Sequence, residues 1–230
     1  MRGDGDGWSW SSDGSRHWGL HGAAGLLLRA PLTGGQPAVL LQHRAVWSHQ
    51  GGTWALPGGA RDSHESTVDA AVREAEEEAG IIAEMLRVRA ERVTAKARSG
   101  WTYTTVIADA ASTLATTRNL ESTELRWVPE TEVGKLRLHP GFKASWEALQ
   151  AKSMTLVLDG VADRPELAEA LPRTFELPDG GFGWLPGVDR AEAEIMTAPT
   201  SWTAVISTDT ARYAGVSDFL LAITPAEVFY

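Results

Sequence analysis

Between Gly59 and Ile81 the chain reads GARDSHESTVDAAVREAEEEAGI, and Arg73–Gly80 within it reads REAEEEAG. From about Ser66 to Ala79 there is no proline, and alanines and valines recur at helical spacing, so a helix is expected. Gly80 stands where a glycine closes a helix. Asp62, with Glu65 three residues later, reads as a capping box at the start. Glu74, Glu76, Glu77 and Glu78 are crowded together, although like charges three or four apart on a helix repel by about 0.2–0.5 kcal/mol per pair. Glu74, Glu77 and Glu78 lie at i, i+3 and i+4 and share one stripe. Ala70, Ala71, Ala75 and Ala79, with Val68 and Val72, take the other side, where small residues allow close packing. Two readings follow. The stripe is a solvated acidic face, as charge runs on helices commonly are, or it is an oxygen-rich site for Mg²⁺ or Mn²⁺, whose charge offsets the repulsion.

The spacing upstream favours the second reading. Five residues separate Gly59 from Glu65, and seven separate Glu65 from Arg73-Glu74; Glu77-Glu78 and Gly80-Ile81 then follow. The pattern resembles the Nudix box, G-x5-E-x7-R-E-U-x-E-E-x-G-U, at every fixed position, with Ala75 the one small residue at an aliphatic place. The preceding WALPGG and the flanking LLQHR and LRWV segments also resemble the family, over about residues 18–150. The resemblance implies an α/β Nudix fold, a mixed β-sheet in an α/β/α sandwich, followed by a small additional C-terminal α/β unit. It implies Mg²⁺-dependent hydrolysis of a phosphoanhydride in a nucleoside diphosphate-linked compound. It implies that Glu74, Glu77 and Glu78 bind the cation with the Gly58 carbonyl, beside Gly59. It implies that Arg73 orients the glutamates, that Glu65 supports from behind, and that one carboxylate, with Glu74 a candidate, acts as base. Glu121 and Glu124 are candidates for a later carboxylate, with Glu124 preferred because it begins a strand. His139 is a candidate phosphate contact, and Trp101 and Tyr103 are candidates for base stacking; for each the structural role is the commoner one. Ala97 stands where the family's ADP-ribose hydrolases carry a proline, and the NADH-hydrolase pattern is absent. The WxLPGG and LLQxR segments lean toward hydrolases of nucleoside triphosphates that resemble MutT, with oxidised nucleotides as substrates.

Outward from the box, Ala23–Leu28, Ala38–Arg44, Leu86–Ala97, Tyr103–Ala108 and Leu125–Val128 read as strands, Trp54–Gly59 as a short strand running into a glycine-rich loop, and residues 141–152 as a helix. Asp13-Gly14, between Trp8/Trp10 and Trp18, reads either as the turn of a hairpin or as part of a flexible tail over residues 1–17. The hydrolase domain is expected over 18–152 and a small α/β domain over 153–230, with strands at Met154–Asp159, Ala204–Asp209 and Phe219–Thr224 and helices at Arg164–Leu171 and Asp189–Thr197. Asp159, Asp189 and Asp209 could form a second metal site like that of PIN- or NYN-type nucleases, or serve only as strand-end turn and cap residues. A dimerisation or lid module is the other reading of this unit, and a homodimer is left open.

The chain has 230 residues, a formal net charge of −9 and no cysteine. The acidic balance argues against binding a nucleic-acid backbone, while small phosphorylated ligands remain open to it through a cation. Without cysteine there are no disulfides, thiolate metal sites or cysteine nucleophiles. That composition fits a cytoplasmic protein, and no segment is apolar for long enough to span a membrane. The intact box favours an enzyme over a nucleotide-sensing module that binds without turnover.

Overall fold

The computed structural model describes residues 3–161, 164–186 and 199–229. The described residues form two compact units, one of residues 3–32 and 36–150, the other of 33–35, 151–161, 164–186 and 199–229.

In the first unit the chain begins with a two-stranded antiparallel hairpin, β1 (Trp8–Trp10) and β2 (Arg16–Trp18). The main sheet has seven strands: β3 (Ala23–Pro31), β4 (Pro37–Arg44), β5 (Trp54–Ala55), β6 (Gly58–Ala60), β7 (Arg87–Lys96), β8 (Thr102–Asp109) and β9 (Ser122–Pro129). The order is β5-β4-β3-β8-β7, with β6 also on β3 and β9 also on β4. β3 and β8 are parallel and the other pairs antiparallel, so the sheet is mixed, as the resemblance implied. The WALPGG segment is two short strands rather than a strand and a loop, because Gly58 and Gly59 pair with Gly25 and Ala24 of β3.

Helix α1 (Thr67–Ala79) lies on one face. Its Ala70, Ala71, Ala75 and Ala79 are fully buried against Ala24, Leu26 and Leu28 of β3, Leu40 of β4 and Val106 of β8. Small residues on the helix let its backbone approach the sheet closely. The helix ends as expected: Gly80 adopts φ 71°, a left-handed angle that a side chain would strain, and the Ile81 N–H reaches the Ala75 carbonyl. Its start corrects the expected cap. Ser66, not Asp62, is the N-cap: its hydroxyl accepts from the Asp69 N–H, and Asp69 accepts from the Ser66 N–H at 3.1 Å. Glu65 does accept from the Asp62 N–H at 3.0 Å, but one turn too early to cap the helix. Ser66→Ala should cost about 1 kcal/mol and lower the thermal midpoint by about 2–4 °C, read by calorimetry.

The opposite face is covered by α2 (Glu130–Val133) and α3 (Pro140–Leu149), whose Phe142, Trp146 and Leu149 are buried. Arg29, next to Leu28 and therefore pointing to this face, donates to Glu130 Oε1 at 2.6 Å and to the Leu149 carbonyl. The pair is wholly buried and ties both helices to β3. Helix α3 stops at Leu149 rather than at residue 152, because Gln150 turns extended at ψ 134°.

In the second unit, β10 (Ala151–Ser153), β11 (Thr155–Asp159), helix α4 (Pro165–Ala170), β12 (Thr174–Glu176), β13 (Phe182–Trp184), β14 (Thr203–Ser207) and β15 (Leu220–Ile223) form two three-stranded sheets. β11, β14 and β15 are parallel, in that order. Leu156, Leu158, Leu167, Leu177, Trp202 and Ile206 form its core. β10, β12 and β13 were not anticipated, being too short to show a period. The helix expected at Asp189–Thr197 lies outside the described residues.

Candidate active site

The register brings six chain segments to one end of the main sheet. Ala23 at the start of β3 pairs with Ala60 of β6 and with Tyr103 of β8. The end of β4, Arg44, pairs with Ser122 at the start of β9. The sixth segment is the C-terminal half of α1, whose glutamates reach the Gly58–Gly59 backbone.

The three glutamates of the stripe are not equivalent. The Glu77 side chain is 59% exposed, that of Glu74 is 15% exposed, and Glu78 is buried with the alanines. The stripe therefore runs from solvent into the protein and is not a solvated face. Glu78 Oε2 accepts from the Gly58 N–H at 2.7 Å and from Gln42 Nε2 at 2.9 Å. Gln42 is fixed in turn, donating to the Leu56 carbonyl at 3.1 Å and accepting from Ser122 Oγ at 2.6 Å. Glu74 lies so close to Gly59 that a Cβ there would come within 2.5 Å of its carboxylate, so glycine is required by close approach.

Arg73 holds this arrangement. Its Nε and Nη2 grip Glu65 at 2.6 and 3.0 Å, and Nη1 donates to Glu74 Oε1 at 2.7 Å. Nη2 also donates to the Ala60 carbonyl at 2.9 Å, and Nη1 lies 3.6 Å from Glu77. This is the bidentate geometry that a planar guanidinium offers and an ammonium does not. Arg73 holds Glu65 below the ordinary carboxylate range, and Glu65 in turn keeps Arg73 charged. Arg73→Lys should lower kcat by about 10–100-fold, since the support of the reacting groups is lost rather than their charge; steady-state kinetics would test it.

Burial pushes Glu74 up to about 7, against the pull of Arg73, with Glu77 and Glu121 adding to the rise. Burial also pushes Glu78 up to about 8, opposed by the Gly58 N–H and aided by Glu74. The buried Tyr103 hydroxyl is raised by burial and by Glu78. The donors gathered here are carboxylate oxygens, held together at a cost in repulsion. That set suits a hard divalent cation.

The two candidates for the later carboxylate are placed differently. Leu125 and Trp127 pack on the α1 side of the sheet, so Glu124 points to the other face by alternation. There it binds Arg126 at 2.8 and 2.6 Å. A bulge at His43/Arg44, opposite Ser122–Glu124, breaks the alternation and turns Ser122 toward Gln42. Glu121, just before the strand, is the carboxylate whose charge reaches Glu74 and Glu78. His139 is the N-cap of α3, its Nδ1 accepting from the Gly141 N–H at 3.2 Å, and burial with the charge of Arg44 holds it down at about 4. Trp101 is engaged, stacked on His17 with centroids 4.6 Å apart and donating to the Trp18 carbonyl at 3.0 Å.

Gln42, Ser122 and Tyr103 were not read as parts of a glutamate site. A glutamine inside the apolar strand AVLLQ was the available signal, since a buried amide must find partners. In the second unit, Asp159 accepts from Ser207 Oγ at 3.0 Å and from Tyr213, and lies 3.7 Å from Arg212. Asp209 follows the same strand end, its N–H donating to Ser207 Oγ at 3.0 Å, and Asp189 lies outside the described residues. No helix among the described residues is long and apolar enough to cross a membrane.

Comparison with known proteins agrees with this geometry. The NUDIX domain model matches residues 19–150. A Mycobacterium tuberculosis protein, provisionally named 8-oxo-dGTP diphosphatase 3, is 56% identical over 197 residues, covering 84% of this chain and 89% of its own. A Bifidobacterium longum protein, named as a fusion of a nucleoside triphosphate pyrophosphatase with a Nudix hydrolase, is 40% identical over 153 residues, 64% of this chain and 31% of its own. The crystal structure of a Nudix hydrolase from M. smegmatis, RenU, superposes with a TM-score of 0.61 at 66% identity, covering 62% of this chain and 91% of that one. The chain belongs to the NUDIX family and is a nucleotide pyrophosphohydrolase.

Proposed function

We propose that this protein is a Mg²⁺-dependent hydrolase of oxidised purine nucleoside triphosphates, releasing the monophosphate and pyrophosphate. The observation that carries it is the convergence of Glu74 and Glu78 on the Gly58–Gly59 backbone, each held by an independent donor. The substrate class rests on the 56% identical relative named for 8-oxo-dGTP.

In this reading Glu74, Glu77, Glu78 and the Gly58 carbonyl hold the cation. When bound, the cation neutralises charge on the anhydride oxygens and lowers the pKa of bound water. The remaining work falls to the chain. Arg73 occupies Glu74 Oε1, so Oε2 is the oxygen that would ligate the cation or, in its place, accept the proton of the attacking water. Glu65 positions Arg73, and Gln42 keeps Glu78 aimed at the site. Glu121 adds negative charge at the rim. Glu124, paired with Arg126 on the other face, has no catalytic part.

The test is a hydrolysis screen with Mg²⁺ over dNTPs, 8-oxo-dGTP, ADP-ribose, NADH and dinucleoside polyphosphates, with Glu77→Gln as control. A kcat/KM for 8-oxo-dGTP at least tenfold above dGTP, lost in the control, supports the reading. Preference for ADP-ribose or a dinucleotide overturns the substrate class. Turnover that survives in the control overturns the assignment of the glutamates.

A further inference from the structure

We propose that the N-terminal hairpin is the nucleobase wall of the site: the substrate's base stacks on the indole face formed by Trp8, Trp10 and Trp18, with its phosphates at the glutamates. This rests on the proposed nucleotide hydrolysis and adds where the base is read.

The hairpin has two unlike faces. Trp8 pairs with Trp18 and Trp10 with Arg16, so these four side chains share one face. Ser9 and His17 share the other, on which His17 stacks against Trp101 at the start of β8. The hairpin is thus docked by its His17 face, with Trp10 and Trp18 turned to solvent and Trp8 half-buried beside His49. Trp10 is 63% exposed and Trp18 42%. A ribbon of three-residue strands has no core of its own to need three indoles, and clustered exposed apolar groups mark a binding surface. Arg16 lies over Trp8 at 4.5 Å and within 5.8 Å of Trp10, leaving a cation among aromatic rings.

Position selects the occupant. Trp8 meets His49 edge-on at 5.6 Å, and His49 lies on the loop between β4 and β5, where Arg44 donates to its carbonyl at 3.1 Å. That loop begins at Ala45, whose N–H donates to the Glu121 carbonyl. The indole face therefore adjoins the loop that borders the carboxylates. The segment leading into the hairpin is also fastened to the box: the Gly5 N–H donates to Asp62 at 2.7 Å, and the Ser63 N–H to Asp4 at 2.9 Å. A planar base, which stacks on indoles, and a polyphosphate, which reaches a cation site, are the two ends of one nucleotide.

The experiment is steady-state kinetics on the full chain with the triphosphate that the screen identifies, comparing wild type with Trp10→Leu/Trp18→Leu and Trp10→Phe/Trp18→Phe. Thermal midpoints and near-ultraviolet circular dichroism serve as the check on folding. The leucine variant should raise KM about tenfold while kcat changes little, because stacking acts on the bound base and not on the anhydride. The phenylalanine variant should recover most of the loss. Nucleotide quenching of tryptophan fluorescence in EDTA should weaken in the leucine variant. An unchanged KM with intact turnover overturns this inference alone, as does a changed oligomeric state in its place, which would mark the face as a protein interface. A wild-type protein that hydrolyses no nucleotide overturns the functional reading and this inference together.

Discussion

Glu78→Gln is expected to abolish turnover and, in the same protein, to raise the thermal midpoint without metal. The activity loss should be about a thousandfold, since a charged oxygen aimed at the reacting phosphates is replaced by a neutral one. The stabilisation has a separate cause. Glu78 is buried, and burial pushes its carboxyl up to about 8 from an ordinary 4.5. Each unit of such a shift corresponds to about 1.4 kcal/mol. A glutamine carries no charge to desolvate, and its amide oxygen can still accept from Gly58 and Gln42 through the position of Oε2. The metal-free variant should gain on the order of a few kcal/mol, or roughly 5–10 °C, at pH 8. Paired measurement of kcat with Mg²⁺ and thermal midpoint in EDTA checks both halves. A midpoint lowered by several degrees would mean that the carboxylate is a structural hydrogen-bond partner first. Such a trade of stability for a strained reactive cluster is common at active sites.

The second large effect is a pH dependence that metal reverses. Glu74 and Glu78 titrate in the folded protein at about 7 and about 8, above their unfolded values near 4.5. Between those limits the folded state binds more protons than the unfolded one. Their contribution is full below about pH 4.5 and is lost as pH rises through 7 and 8. His139, held down at about 4, acts in the opposite sense below its ordinary 6.5. His49, also held down by burial and by Arg44, acts in the same sense as His139, so the fall is read between pH 6.5 and 8, where the two glutamates dominate. In EDTA the thermal midpoint should drop across that window by several degrees. Millimolar Mg²⁺ should flatten or invert the slope, because the cation binds the ionised carboxylates of the folded state and stabilises by mass action. Apparent Mg²⁺ affinity should rise over the same window. A metal-free midpoint that is flat from pH 6.5 to 8, or unmoved by Mg²⁺, would show that the carboxylates are neither strained nor a cation site.

The two carboxylate candidates, Glu121 just before β9 and Glu124 within it, lie on either side of a bulge. Their order along the chain favoured Glu124, which begins the apolar run LRWV. Strand alternation then sends Glu124 away from α1, because Leu125 and Trp127 are needed in the core on that side. A bulge, invisible in one sequence, restores the turn toward the site two residues earlier. Gln42 is a similar case. A polar residue in a buried strand announced that a partner existed, but only the packing of α1 named Glu78. The short strands β10, β12 and β13 were missed because three residues cannot display a period of two.

The sequence by itself determined what is local and periodic. The helix from Thr67 to Ala79, its alanine face and its Gly80 stop follow from spacing and backbone freedom, and the Nudix pattern of Gly59, Glu65, Arg73, Glu74, Glu77 and Glu78 follows from the order of residues alone. The tertiary structure decided the rest. It graded one acidic stripe into exposed Glu77, half-buried Glu74 and buried Glu78, gave Arg73 its three carboxylate neighbours, and set an indole hairpin beside the loop that borders them. The reason is physical. Helical spacing fixes which side chains share a face, whereas desolvation, charge coupling and strand bulges depend on what is packed against that face.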